Sequence, residues 1–348
     1  MTNFLSQTRE ELIRALDGLG ISHNHSKLLF NQVYRDLKRF PGDSPGLSKK
    51  GKDKLRNLLV QTPNIKSLKT SQEDQSIKFI VALGDGKLVE TVLMPEKSRL
   101  TLCLSSQVGC AQRCTFCHTG RMGLARNLTV GEIVGQVFLI NEWLENQKFE
   151  FSSNNLKKIT NIVFMGMGEP LDNFENLVRS IKILTDPWGL ALPPRKIAVS
   201  TAGHLDGMVK LQKEDLKVSL ALSLHIIDEK KRSKLMPINK RYPLSLVIDQ
   251  AKKYSKAINR AVLIQYTLFS GVNDSPMDAV YLSNFLKNTN FKVNLIPFNS
   301  FDNSNFQRPS DEQLINFQSI LIKNNIRSMI RYSKGRDIGA ACGQLALQ

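Results

Sequence analysis

Residues 100–117 read LTLCLSSQVGCAQRCTFC, an apolar segment followed by a loop that carries three cysteines. The chain has five cysteines in 348 residues, and three of them, Cys110, Cys114 and Cys117, fall within eight positions. Three thiolates on one short loop can hold three irons of a [4Fe–4S] cluster and leave the fourth iron open. An open iron implies that another molecule binds there, as at the open position of a catalytic zinc site.

Two other interpretations of these cysteines remain, a structural zinc ion or three unrelated buried thiols. Structural zinc takes four protein ligands, and the nearby candidate is His118, directly after Cys117. Adjacent residues are poorly placed to share one tetrahedral ion. The spacing therefore favours a cluster.

The sequence around this loop alternates between strand and helix patterns, which predicts an α/β fold. Strands are predicted at Leu100–Ser105, Ile159–Met165, Lys196–Thr201, Val218–Leu224, Val262–Phe269, Val293–Phe298 and Ser328–Tyr332. Helices are predicted at Val130–Gln147, Glu175–Leu184, Leu205–Lys213, Leu244–Ala257, Met277–Lys287 and Asp311–Asn324, the first with a capping box of Thr129 and Glu132. Repeated strand–helix units require parallel strands, which form either an open sheet or a barrel. Functional groups should gather at the carboxyl ends of those strands.

The sequence before the loop predicts two further parts. Residues 1 to about 70 are basic and helical in pattern, with a turn at residues 41–46. Strands at Ile77–Leu83 and Leu88–Met94 flank Gly84-Asp85-Gly86, which predicts a hairpin. We therefore expect an accessory domain over residues 1–76, a hairpin linker over 77–95 and a core over 96–348.

The charge balance favours a polyanionic partner. Lys and Arg number 48 against 31 Asp and Glu, which gives a formal net charge of +17. Such an excess favours binding to a polyanion, because each phosphate that the protein neutralises releases bound counterions. Two basic runs could contact RNA, although a solvated surface is the alternative for each: Lys27, Arg35, Lys38, Arg39, Lys49, Lys50, Lys52, Lys54 and Arg56, and then Lys230, Lys231, Arg232, Lys234, Lys240 and Arg241. The N-terminus resembles neither a signal nor a transit peptide, and no segment predicts a membrane span. We expect a cytoplasmic protein that does not bind membranes.

Four segments resemble the RlmN family of radical S-adenosylmethionine (SAM) enzymes and its relative Cfr: LCLSSQVGC at 102–110, RNLT at 126–129, GMGEP at 166–170 and GAACGQL at 339–345. The Cys-x₃-Cys-x-aromatic-Cys pattern is the radical SAM signature. The resemblance runs from about residue 77 to the C-terminus and more weakly through the basic N-terminal region. It implies a partial (β/α) barrel with a small helical RNA-binding domain, and a [4Fe–4S] cluster whose open iron is chelated by SAM.

The resemblance also implies a reaction and its residues. An RlmN-like enzyme methylates C2 of an adenosine in the peptidyl-transferase region of 23S rRNA and of the adenosine 3′ to the anticodon in some tRNAs, consuming two SAM molecules. Cys342 would carry the methyl group, Cys103 would form a transient disulfide with Cys342, and Glu90 would accept the C2 proton. SAM contacts would come from Gly168, Glu169, Ser200, Ser223, Leu224, His225 and Asn299. Flavodoxin or ferredoxin would supply electrons to a monomeric enzyme.

Several alternatives stay open at this point. A Cfr-like enzyme that methylates C8 would share every motif, and a non-catalytic iron–sulfur RNA-binding protein would need only the cluster cysteines and the basic surface. Without the family, Cys103 and Cys342 are two inert buried thiols and Glu90 is a solvated strand residue. On the same view residues 166–170 form a plain turn, and His225 is a structural histidine.

Overall fold

A computed structural model of the chain describes residues 3–40, 47–55, 60–147, 151, 156–301 and 304–347. The predicted turn at 41–46, Arg56 and residues 57–59 of the basic N-terminal part lie outside these residues. The described N-terminal part contains the helices α1 Arg9–Asp17, α2 His23–Tyr34 and α3 Lys49–Leu55. The strands β1 Asn64–Thr70, β2 Ile77–Ala82 and β3 Leu88–Glu96 follow.

The remaining elements include the predicted alternation of strands and helices, together with four short elements that the sequence did not predict. The strands are β4 Arg99–Cys103, β5 Gln107–Gly109, β6 Leu124–Asn127, β7 Asn161–Phe164, β8 Ile197–Thr201, β9 Ser219–Ser223, β10 Val262–Leu268, β11 Phe291–Pro297 and β12 Ser328–Ile330. The helices are α4 His118–Arg121, α5 Val130–Asn146, α6 Phe174–Thr185, α7 Leu205–Lys213, α8 Glu229–Leu235, α9 Leu244–Ile258, α10 Pro276–Phe285 and α11 Asp311–Lys323. All seven core strands and all six core helices predicted from the sequence are confirmed, with ends that differ by up to a few residues.

Ten strands form one sheet in the order β1-β2-β3-β4-β7-β8-β9-β10-β11-β12. The neighbours from β1 to β4 are antiparallel and those from β4 to β12 are parallel. Since β12 is an edge strand, the parallel part does not close through hydrogen bonds. It nevertheless curves, because Met94 of β3, Ile162 of β7, Leu263 of β10 and Met329 of β12 line one cavity of about 410 Å³. The fold is the expected partial barrel.

The N-terminal part differs from the sequence prediction in one element. Residues 64–70 form the strand β1, where the sequence indicated helix up to about residue 70. β1 is an edge strand with mostly exposed side chains and a register shift between Ile65 and Ser67, so it lacks the alternating pattern of a half-buried strand. The predicted hairpin is confirmed as β2 and β3, and β4 pairs directly with β3. The domain boundaries themselves stay a prediction.

Local sequence signals explain where the core helices begin. The predicted capping box is present, since the Thr129 hydroxyl accepts from the Glu132 amide and the Glu132 carboxylate accepts from the Thr129 amide. Within the described parts of the chain, no helix has both the length and the hydropathy that crossing a membrane requires.

Candidate active site at the carboxyl ends of the parallel strands

The cysteine loop leaves the sheet beyond β5 and is held by backbone hydrogen bonds. The Cys110 amide donates to the Gly123 carbonyl at 2.9 Å, and the Thr115 amide donates to the Leu235 carbonyl at 3.0 Å. Gly109, just before the first cysteine, has φ +78°, and a Cβ there would lie 1.8 Å from the Gly123 oxygen. Only glycine permits this close crossing of the β5–β6 pair.

Cys110, Cys114 and Cys117 line one cavity of about 170 Å³. Burial raises the pKa of Cys110 to about 12, and burial also raises the pKa of Cys114 and Cys117. Buried neutral thiols of this kind become thiolates when a metal binds, because coordination displaces the proton. Three soft sulfur donors around one cavity fit an iron–sulfur cluster.

A single metal ion fits these residues less well. Within the described residues, no three His, Cys, Asp or Glu side chains converge closely enough to bind one ion. His118, the candidate fourth zinc ligand, instead stacks on Phe301 at 4.9 Å between ring centroids and an interplanar angle of 12°. A cluster needs no such convergence, because each thiolate binds a different iron.

Glu169 and Gly168, which follow β7, also line this cavity. The two carboxylate oxygens of Glu169 accept from the Leu171 amide at 3.2 Å and the Ala202 amide at 2.8 Å. Burial raises the pKa of Glu169 to about 7 despite these hydrogen bonds. Gly168 has φ +103°, and a Cβ there would lie 2.6 Å from the Cβ of Gln107. This turn therefore requires glycine.

Ser200, Ser223 and His225 line the cavity from the ends of β8 and β9. The Nδ1 atom of His225 accepts from the Thr267 amide at 3.0 Å, so the proton of the neutral ring lies on Nε2. Burial lowers the pKa of His225 to about 3, which keeps it neutral. Phe116, the aromatic residue of the cysteine motif, packs edge-on against this ring at 4.9 Å between centroids.

Leu224 and Asn299 are placed differently from these residues. The Leu224 side chain is fully buried in the core, and its amide donates to the Gln265 carbonyl at 3.0 Å. The Asn299 amide group donates to the Ser333 hydroxyl at 2.8 Å and to the Cys342 carbonyl at 3.2 Å. Asn299 thus contacts the turn that carries Cys342.

Cys342 lies between two cavities. It lines the cavity of the three clustered cysteines, and also a smaller cavity of about 30 Å³ that Cys103 lines. Burial, and secondarily the nearby Cys342 thiol, raises the pKa of Cys103 to about 12. Both cysteines are free thiols. Two residues 239 positions apart in sequence therefore face one space.

Glu90 is fully buried, which contradicts the interpretation of a solvated strand residue. It lies in β3, two positions from Val92, which pairs with Cys103 of β4 and lines the same small cavity. Alternation along a strand puts Glu90 on the sheet face of Val92. The Lys78 Nζ atom lies 3.1 Å from Glu90 Oε1.

Sequence reasoning assigned Arg232 to a possible RNA-binding run, and the structure corrects this. Arg232 is only 1 % exposed, and its guanidinium donates to the carbonyls of Ala202, Ser223 and Leu224. It ties together the ends of β8 and β9. Burial lowers the pKa of Arg232 to about 10, so it remains a cation at neutral pH. No sequence signal separates it from the surface lysines beside it.

Comparison with known proteins supports the same chemistry. The model of the radical SAM superfamily matches residues 104–282. The dual-specificity RNA methyltransferase RlmN of Desulfotalea psychrophila is 45 % identical over 274 residues, which are 79 % of this chain and 75 % of that protein. A probable RlmN of Thermotoga maritima is 39 % identical and covers 100 % of this chain and 98 % of its own. The chain belongs to the RlmN family.

A solved structure agrees with this assignment. The crystal structure of a radical SAM methyltransferase from Sphaerobacter thermophilus matches with a TM-score of 0.91 and 37 % identity, and the match covers 100 % of both chains. Membership of the RlmN family implies an iron–sulfur cluster and SAM, which the three thiols and the adjoining cavity fit. The roles of individual residues stay predictions.

Gly168→Ala tests the turn that positions Glu169. The positive φ should cost about 1 to 2 kcal/mol of unfolding free energy in any alanine variant, and overlap with Gln107 should cost roughly 1 to 3 kcal/mol more. Gly86→Ala is the matched control, because Gly86 has φ +79° with open space around its Cβ position. Urea unfolding of both variants measures the difference, and equal destabilisation would contradict the close approach.

Proposed function

We propose that this protein methylates C2 of an adenosine in the peptidyl-transferase region of 23S rRNA, and of the adenosine 3′ to the anticodon in tRNA, through S-methylated Cys342. The observation that carries this proposal is the position of Cys342, which lines both the cavity of Cys110, Cys114 and Cys117 and the cavity of Cys103. One thiol is thus adjacent to both the cofactor residues and a second thiol. An iron–sulfur protein that only binds RNA would have no use for this arrangement.

C2 of adenine is an electron-poor amidine carbon, so ordinary methyl transfer from a sulfonium to this carbon fails. Cys110, Cys114 and Cys117 would hold a [4Fe–4S] cluster, which with SAM supplies one-electron chemistry that converts a methyl group into a carbon radical. The chain's part is to hold that methyl group beside the base. The Cys342 sulfur would take it from one SAM molecule by nucleophilic displacement, and a second SAM would be used to activate it.

The cavity walls supply the groups that SAM needs. The Glu169 carboxylate would bind the ammonium group, and Ser200, Ser223 and His225 would contact the ribose and carboxylate from the neighbouring strand ends. For the adenine of SAM we propose the Leu224 backbone and Asn299. Asn299 would have to share its amide between this ligand and the Cys342 carbonyl.

Completion of the reaction requires a base and a second thiol. Once the methylene carbon has bonded to C2, the radical adduct must lose one electron and the C2 proton. The electron would return to the cluster, and Glu90 would accept the proton. Cys103 would then attack the Cys342 sulfur. An S–S bond forms, the bond from the Cys342 sulfur to the methylene carbon breaks, and that carbon takes a proton to become the methyl group of the released RNA. Burial keeps Cys103 protonated until a base is available, which suits a thiol that acts last.

RNA binding is supported by a smaller basic surface than the sequence suggested. Arg39 pairs with Glu142 through two hydrogen bonds, Arg35 donates to the Pro187 and Gly189 carbonyls, and Lys54 donates to the Leu19 carbonyl. Among the side chains of this N-terminal surface that the structure describes, the remaining exposed cations are Lys27, Lys38, Lys49 and Lys52. A stacked adenine hides C2, so the substrate base would be flipped or unpaired.

A groove on the outer side of the cysteine loop suits an electron donor. Cys114 lines both this groove and the cofactor cavity, and Arg113, Arg121 and Met122 surround it. Exposed arginines beside an apolar residue would attract an acidic protein such as flavodoxin or ferredoxin. We expect a monomer that works in the cytoplasm, where its RNA substrates lie.

The first prediction concerns the cluster. The anaerobically purified protein should be brown and contain about four irons per chain. Cys110→Ala, Cys114→Ala and Cys117→Ala should each lose the iron and the SAM cleavage, whereas Cys103→Ala and Cys342→Ala should keep the iron. Iron analysis and visible absorption measure this. Stoichiometric zinc in place of iron would refute the proposed chemistry.

The second prediction concerns the basic surface. Changing its four exposed lysines to Gln should reduce the slope of log affinity against log salt by roughly 0.7 to 0.9 for each phosphate that the variant no longer neutralises. SAM cleavage should be unaffected. The control removes the same charge from exposed lysines elsewhere, at Lys213, Lys253, Lys256 and Lys323. Equal slopes in filter-binding assays would assign the N-terminal lysines to a merely solvated surface.

The third prediction separates the two distant thiols. Cys342→Ala should give neither methylated RNA nor a protein–RNA adduct, because nothing carries the methyl group. Cys103→Ala should stall with RNA tethered to Cys342 through the methylene carbon. This thioether should resist thiol reductants, unlike a disulfide, and appear as a SAM-dependent band on a denaturing gel. Two inert thiols would instead give active variants without adduct.

A further inference from the structure

Lys78 is a buried cation next to the proposed base. It lies in β2 with a side chain only 4 % exposed, and its Nζ atom is 3.1 Å from Oε1 of Glu90, whose side chain is 0 % exposed. The same ammonium donates to the Gly339 carbonyl at 3.3 Å. Burying an ammonium group is costly unless it is paired, so both contacts matter to the placement of Lys78.

The sheet register aligns Lys78 with the reacting groups. Lys78 pairs with Val92 across β2 and β3, and Val92 pairs with Cys103 across β3 and β4. Glu90 pairs with Ile80, so Glu90 and Lys78 are diagonal neighbours on one face of the hairpin. Lys78, Glu90 and Cys103 therefore share one face of three adjacent strands.

The Gly339 contact connects Lys78 to the turn that carries Cys342, three residues further on. The segment before this turn is also attached to the β1–β2 connection. The Gly335 amide donates to Asp74 at 2.9 Å, and the Gln72 amide donates to Asp337 at 3.0 Å. The Lys78 ammonium thus contacts the Cys342 turn through the Gly339 carbonyl and also lies beside the Glu90 carboxylate.

We propose that Lys78 is a positioning residue that orients the Glu90 carboxylate for proton transfer beside Cys342. This inference rests on the proposed role of Glu90 as the base. Neither carboxylate oxygen accepts a hydrogen bond from the described residues, and the ammonium forms its ion pair at 3.1 Å with Oε1. Oε2 is then the atom that takes the C2 proton. The C2–H bond breaks, an O–H bond forms, and the electron pair of the C–H bond stays with the ring, whose one surplus electron would return to the cluster.

The test uses the reconstituted holoenzyme, SAM, reductant and the rRNA substrate, with Cys103 intact. Lys78→Met should keep iron, SAM cleavage and Cys342 S-methylation, but its rate of RNA methylation should fall by roughly tenfold or more. RNA tethered to Cys342 should accumulate, because proton removal precedes release. Lys78→Arg should restore much of the rate. Lys69→Met is the matched control, since Lys69 pairs with Lys78 across β1 and β2 but has an exposed side chain.

Glu90→Gln and the double variant Lys78→Met/Glu90→Gln separate the possible outcomes. If Lys78 acts through Glu90, the double variant should be no slower than Glu90→Gln alone. Both replaced side chains of the double variant are neutral, so it leaves no buried charge unpaired. It therefore keeps the test possible if Lys78→Met alone fails to fold. Release of RNA by Glu90→Gln at the normal rate would refute Glu90 as the base, and with it the role proposed for Lys78. Accumulation with Glu90→Gln but not with Lys78→Met would refute the Lys78 inference alone, as would loss of Cys342 methylation in Lys78→Met or a slower double variant.

Discussion

The hydrogen bond from the His118 amide to the Gly343 carbonyl, at 2.7 Å, joins the cysteine loop to the last turn of the chain. A second bond, from the Thr119 hydroxyl to the Leu345 carbonyl at 2.6 Å, supports it. Because His118 follows Cys117 and Gly343 follows Cys342, these bonds hold a thiol of the C-terminus against the cofactor cavity. The proposed transfer of one carbon from the Cys342 sulfur to a base requires that this sulfur is held in a fixed position beside the cavity.

Burial is the second constraint on the site, and it shifts the pKa of several groups there. It raises the pKa of Glu169 and lowers the pKa of His225 and Arg232. It also raises the pKa of four cysteines, Cys103, Cys110, Cys114 and Cys117. Each of these shifts favours the neutral form. Arg232 nevertheless remains a cation at neutral pH, and Glu169 can still ionise there, so the site combines neutral thiols and a neutral imidazole with charged groups. Lys78 and Glu90 form a further buried ion pair, on the sheet face that they share with Cys103.

Sequence patterns predicted the core elements well because each has a strong local signal. The capping box at Thr129 and the apolar β-branched runs of β7 to β11 are examples, and both depend on neighbours within a few residues. The errors occur where local signals are weak. β1 is an exposed edge strand with a register shift, and α8 is a single short helix of charged residues. Without the family resemblance, Glu90 would be interpreted as a solvated strand residue, and its burial contradicts that alternative.

The sequence by itself determined the cluster loop, because Cys110, Cys114 and Cys117 lie within eight residues and their chemistry is local. Its likeness to the RlmN family then indicated which distant residues should react. Only the tertiary structure brought Cys103 and Cys342 to one cavity, buried Arg232 and paired Lys78 with Glu90. The pairing of Lys78 with Glu90 depends on strand register. The approach of Cys103 and Cys342 joins chain segments more than two hundred residues apart. A sequence pattern carries no measure of such distances, because burial and pairing are properties of the packed sheet.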